Sequence, residues 1–142
     1  MTEVATWRST RAYLFIAFLP ERHVLHRALQ HAGFVLVFKP VIRMRRGGIK
    51  CNVDVDLVFR VMAELSAYER AVIVTGDGDF SLLVRYLLVN GRLEVVISPD
   101  TGSCSALLRH SAGGRITFMA GLRQQLEYRP HPKEASWTRS SR

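Results

Sequence analysis

Two aspartates one residue apart, Asp77 and Asp79, close an apolar run and open a helical pattern in the stretch VIVTGDGDF from Val72 to Phe80. Carboxylates held this close offer the oxygen donors that hard cations need, and Mg2+ commonly takes one or two of them while keeping several waters. Gly76 and Gly78 add backbone angles that are costly for other residues and leave space for a ligand beside the chain. Singly, Asp79 also suits a helix N-cap and Asp77 a turn. As a pair at a strand end they point to a metal.

A second acidic cluster, NVDVDL from Asn52 to Leu57, opens a helix, and helical geometry separates its two acids. Asp54 shares a face with Val58, Val61 and Leu65, whereas Asp56 lines up with Arg60 and Glu64 on a polar stripe where neighbours pair at i+4. A carboxylate on the core-facing side needs a partner, because an unpaired buried charge is expensive. Asp54 is therefore the candidate metal ligand. Asp56, Glu64 and Glu69 read as surface charge, with Asp56 in a solvated salt bridge. Thr75 and Ser105 carry hydroxyls that can orient water or phosphate, although hydroxyls at strand ends and helix starts also serve as caps. The histidines show no ligand spacing tied to the acids, and His23 and His26 read as helix-surface positions.

The charge distribution agrees with an acidic site in a basic protein. Of 142 residues, 20 are basic and 12 acidic, for a net charge of +8. Residues 1–52 hold 9 basic and 2 acidic side chains, residues 53–100 hold 4 and 8, and residues 101–142 hold 7 and 2. An acidic centre of net −4 thus lies between flanks of +7 and +5. Such flanks suit a polyanion and such a centre suits a cation, a combination that nucleic acid and a divalent metal would satisfy. The densest cations, Arg43, Arg45, Arg46 and Lys50, surround Gly47 and Gly48 in a segment with no apolar period, read as a flexible basic loop. Cys51 and Cys104 lack metal-site spacing and are too few for a disulfide framework, so a reducing cytoplasm is expected. Arg8 and Arg11 precede an apolar run over residues 12–19 that looks like a signal-peptide core. Pro20-Glu21-Arg22 follow without a small-residue cleavage site, so the run reads as a strand, and no membrane association is expected.

The elements that must position these residues alternate along the chain. Strands are expected over 11–19, 34–38, 71–75, 93–98 and 116–119, the first three of them buried. Helices are expected over 21–32, 52–66 with Asn52 as N-cap, 80–89, 103–111 and 121–128. In the first helix Val24, Leu25, Ala28, Leu29 and Ala32 form the core-facing stripe, and Gly33 and Gly91 are stop signals. Strand-helix-strand order argues an α/β fold: a Rossmann-like, three-layer arrangement with a mainly parallel sheet covered by helices on both faces, its ligand site at the carboxyl ends of the strands. Residues 1–10 read as a lead-in, 11–128 as the domain and 129–142 as a flexible basic tail.

These residues resemble the NYN domain, in the LabA-like branch of the PIN-like nuclease superfamily. The match is carried by the strand, proline and basic loop of Val35–Lys50, by the NVDVDL helix start, and by VTGDGDF from Val74 to Phe80. LEVV from Leu93 and SALLR from Ser105 look like the next strand and helix. The resemblance implies a PIN-like fold, a Mg2+ or Mn2+ ion held by Asp54, Asp77 and Asp79, and hydrolysis of RNA phosphodiesters, with single-stranded RNA the expected partner. Arg43, Arg45, Arg46 and Lys50 would then hold the RNA backbone, which positions the strand without reading sequence. Members of the family usually begin with a strand of the form Ile-Asp-Gly-x-Asn whose aspartate is a central ligand. Only Glu3 is acidic ahead of the strand at 11–19, so an N-terminally shortened domain is expected. A second class stays open, a module that keeps the fold and RNA binding without turnover. A phosphatase of the haloacid dehalogenase type shares the Gly-Asp-Gly motif, but it needs an early Asp-x-Asp nucleophile, and none precedes Asp54. Oligomeric state is left open, a homodimer being compatible with the sequence.

Overall fold

A computed structural model describes residues 11–126. The sequence-predicted lead-in over 1–10 and tail over 129–142 lie outside the described residues. Contacts divide the chain into two units, Met1–Leu65 and Ser66–Arg142. Both are α/β, with parallel strands alternating with helices.

In the first unit, β1 (Ala12–Ala17) leads through a 3-10 turn at Pro20–Arg22 into α1 (His23–His31), and β2 (Phe34–Lys39) returns parallel to β1, with Ala12 opposite Phe34 and Ala17 opposite Lys39. Pro20 suits the start of the turn because its missing N–H would be unpaired there in any case. The basic segment differs from the expected flexible loop. It forms an antiparallel hairpin of β3 (Ile42–Arg43) and β4 (Ile49–Lys50), closed by Met44 N–H donating to Gly48 O at 2.8 Å. The five residues Met44 to Gly48, two of them glycines, can turn back on themselves, so absence of an apolar period did not mean absence of structure. Next comes α2 (Asp54–Ala63), later than expected: Val53 is its N-cap residue, and Asn52 supplies the capping side chain.

The second unit runs β5 (Ala71–Val74), α3 (Ser81–Val89), β6 (Leu93–Ser98), α4 (Ala106–Ala112), β7 (Ile116–Phe118) and α5 (Met119–Leu126). Its strands are parallel in the order β5-β6-β7. The middle strand, LEVVIS, is the most deeply buried, as a continuous apolar run should be when it is paired on both edges. Leu87, Val84, Val96 and Leu108 are fully buried where α3 packs on α4 and β6.

Three expectations about burial fail, for one reason. Residues 34–38 and 71–75 were expected to be buried strands, yet Phe34, Val35 and Phe38 of β2 and Val72 and Val74 of β5 are exposed. On α1, Val24 and Leu25 of the expected core stripe are exposed, while His26, expected on the surface, is buried. Each strand concerned is paired on one side only among the described residues, and the sheet of the first unit is two strands wide. A two-stranded pair is too narrow to cover the whole apolar side of a helix. What α1 does cover is aromatic: the His26 ring meets Phe38 edge-on at 4.9 Å between centroids and stacks on Phe18 at 6.3 Å. Among the described residues no helix is long and apolar enough to cross a membrane, and Cys51 and Cys104 are both free thiols.

Candidate metal centre

The acidic pair sits where the parallel-strand architecture puts ligand sites, just past the carboxyl end of β5. Thr75 is still tied to the sheet, its N–H donating to Ile97 O at 3.0 Å. The chain then turns through two side-chain bonds: Asp77 N–H donates to Thr75 Oγ1 at 3.1 Å, and Asp79 N–H donates to Asp77 Oδ1 at 2.9 Å. Phe80, 5% exposed, anchors the end of the loop in the core. Asp77, not Asp79, is thus the capping residue of the 3-10 turn Gly78–Phe80. One Asp77 oxygen is engaged in this way. Asp79 accepts no hydrogen bond and forms no ion pair among the described residues, and both aspartates are exposed.

The glycines of the loop do something other than expected. Neither Gly76 nor Gly78 has a positive φ, so neither is needed for an unusual backbone angle. Both are needed for space, and the space is filled by the protein itself. A Cβ on Gly76 would lie 3.1 Å from Ser98 Oγ, and one on Gly78 would lie 2.5 Å from Ser105 Oγ. The close neighbours come from the β6–α4 segment, a long-range contact that a motif cannot show. Ser105 stands at the N-cap position of α4 but makes no side-chain cap bond; its N–H donates to Gly76 O at 2.9 Å. The cap reading therefore holds for Thr75 as a turn-former and fails for the Ser105 hydroxyl.

In the first unit, Asp54 opens α2 and its N–H donates to Asn52 Oδ1 at 2.8 Å. Its carboxylate is half-buried and has no hydrogen-bond or ion-pair partner among the described residues. The neighbouring acids are neutralised within the protein. Asp56 contacts Lys39 Nζ at 2.6 Å; the contact is an ion pair without hydrogen-bond alignment, and it leaves Oδ2 shielded from solvent. This agrees with the salt-bridge reading, with Lys39 rather than Arg60 as partner. Glu64 corrects the reading as surface charge. Its side chain is 24% exposed, accepts from Tyr13 Oη at 2.9 Å and from Arg60 at 2.9 Å, and is held below the ordinary carboxylate range by those bonds, that to Arg60 first. Tyr13 and Glu64 are 51 residues apart, so no local pattern could join them.

Arg45 and Arg46 are exposed in the turn between β3 and β4. The backbones of Arg43 and Lys50 belong to those strands, and their side chains lie outside the described part of the structure. Sequence reasoning overlooked Asp100. It accepts from Ser103 N–H at 2.8 Å and Ser103 Oγ at 2.7 Å, bonds that lower its pKa and close the β6–α4 turn beside the acidic loop. The turn-rich string SPDTGS from Ser98 to Ser103 was the available signal.

In donor chemistry the acidic residues fit a divalent cation, because Asp54, Asp77 and Asp79 each offer a hard carboxylate oxygen. Parallel strands alternating with helices, with an acidic loop at a strand end, define an α/β protein whose acidic residues could hold a cation. More particularly, the chain belongs to the NYN domain family, a family associated with nuclease activity, whose model matches residues 4–119. It is also similar to a crystal structure of a protein of unknown function from Vibrio parahaemolyticus, with 27% identity and a TM-score of 0.60 over 77% of this chain and 67% of that one. No curated protein matches it significantly.

Proposed function

We propose that this chain is a metal-dependent ribonuclease in which Asp54, Asp77 and Asp79 jointly hold Mg2+ or Mn2+ and Arg43, Arg45, Arg46 and Lys50 hold single-stranded RNA. The observation that carries the reading is that, in a member of the NYN family, Asp54 and Asp79 keep carboxylates without a partner among the described residues, while Asp56, Glu64 and Asp100 are neutralised within the chain. A carboxylate that is half-buried without a partner, as Asp54 is among the described residues, costs stability unless a ligand uses it.

When bound, the metal supplies Lewis-acid chemistry: it lowers the pKa of a water and offsets charge on the phosphate. The protein's part is placement. Thr75 and the Asp77 cap hold the loop so that Asp79 and the second Asp77 oxygen stay open. The Asn52 cap holds the first turn of α2, which carries Asp54. Arginines in the hairpin turn present planar donors that pair with phosphate oxygens.

Purified protein with Mn2+ should cleave single-stranded RNA, and Asp77→Asn should abolish cleavage while circular dichroism stays unchanged. Undiminished cleavage by the Asp77 variant sinks the assignment. The second reading, an RNA-binding module without turnover, is favoured by one fact: one Asp77 carboxylate oxygen is already engaged by the Asp79 N–H, which leaves fewer open donors for an ion. It predicts salt-dependent RNA binding with no metal requirement in the same assay.

A further inference from the structure

Gly78 is the single residue between the two aspartates of the loop, and it has no side chain because Ser105 occupies the place. An ideal Cβ there would lie 2.5 Å from Ser105 Oγ, a distance at which something must move, and 3.1 Å from Ser105 Cβ, a contact tight enough that the neighbour must give by a few tenths of an ångström. The Ser105 hydroxyl can rotate, but its Cβ is poorly free to give way, because the backbone that carries it is held. Its N–H is bonded to Gly76 O at 2.9 Å, its carbonyl accepts from Arg109 N–H at 3.1 Å, and the helix behind it is anchored by the fully buried Leu108 and Ala112. The loop is equally fixed on its other side, where Gly76 abuts Ser98 Oγ and the Ser103 carbonyl, at 3.1 and 3.4 Å from an ideal Cβ. The Ser105 hydroxyl makes no cap bond, so helix capping does not account for a serine here.

We propose that Ser105 is a positioning residue: by packing against Gly78 it fixes the separation and direction of the Asp77 and Asp79 carboxylates. The Asp79 N–H to Asp77 Oδ1 bond spans Gly78, so a displacement of Gly78 changes how both carboxylates are presented. Its functional meaning rests on the metal reading above, since a ligand pair must be held at a set spacing to bind an ion well. The fit itself is a property of the metal-free protein.

The test uses the full chain and three variants: Gly78→Ala, Ser105→Gly, and the two combined. Glycine is tolerated at an N-cap, so Ser105→Gly removes both obstructing atoms at little cost to the helix. Calorimetric Mn2+ titration gives affinity, and hydrogen exchange of the Asp79 amide in metal-free protein reports loop geometry. Gly78→Ala is expected to weaken Mn2+ binding about tenfold or more and to lose Asp79 amide protection, with the thermal midpoint of the rest of the chain little changed. The combined variant is expected to recover both. Unchanged affinity and protection in folded Gly78→Ala, or a combined variant no better than the single one, overturns the proposal. If Gly78→Ala does not fold, the combined variant decides alone: folded with a protected Asp79 amide upholds the proposal, and unfolded overturns it. The two readings fail separately. A parent chain that ignores Mn2+ while amide protection is lost and recovered as described ends the metal reading and leaves the positioning role, whereas tight Mn2+ binding indifferent to Gly78→Ala does the reverse.

Discussion

At the scale of single residues, the acids sort by what neutralises them. Among the described residues, Asp56, Glu64, Glu94 and Asp100 have cations or donors, and Asp54 and Asp79 do not. Glu64 is the clearest structural acid, joining β1 to α2 through Tyr13 and Arg60. Its pKa is depressed, so its contribution is complete above the ordinary carboxylate range and is lost as pH falls through its lowered folded value. Glu64→Gln should therefore lower the thermal midpoint at neutral pH, and the gap between variant and parent should close on acidification below the ordinary carboxylate range. A gap that is constant with pH would show that packing, not charge, holds this contact. Proximity of Asp77 and Asp79 was legible from spacing alone. The roles of Ser105 and Glu64 were not, because each depends on a neighbour distant in sequence.

At the scale of elements, helix starts decide where the candidate ligands stand. Asp54 is the first residue of α2, and its N–H is one of the amides that a helix leaves without an internal partner. Asn52 Oδ1 satisfies it at 2.8 Å. Asn52→Ala should cost about 1 kcal/mol of stability, measured by denaturant titration. It should also weaken Mn2+ binding by fraying the turn that carries Asp54. A loss of stability with Mn2+ affinity intact would remove Asp54 from the metal site. Strand and helix order followed from apolar periodicity almost throughout, from β1 to α5. Boundaries moved by a few residues where capping intervened, as at Asn52 and Val53, and the basic hairpin was missed because two-residue strands carry too little pattern to read.

At the scale of the whole molecule, the two units are built unequally. Every fully or nearly fully buried apolar side chain among the described residues, from Ile73 to Ala112, belongs to the second unit, and in the first only His26 is buried. Amides open with free energies that follow the apolar contacts protecting them. Amides of β6 should therefore exchange slowest and those of β1 and β2 markedly faster, as hydrogen exchange resolved by residue would show. Equal protection in the two units would mean that the first is stabilised by something other than its own core. A half-buried acid, Asp54, thus stands in the less densely packed unit, and the tightly positioned pair, Asp77 and Asp79, in the densely packed one.

The sequence by itself determined the α/β class, the alternation of elements and the place of the acidic pair at a strand end, because apolar period and turn chemistry are local. It also carried the family motifs around Asp54 and Asp77. Only the tertiary structure decided which acids are neutralised, why Gly78 is glycine, and which strands are covered. Those outcomes depend on residues brought together across long stretches of chain, and on how many strands are present to cover a helix.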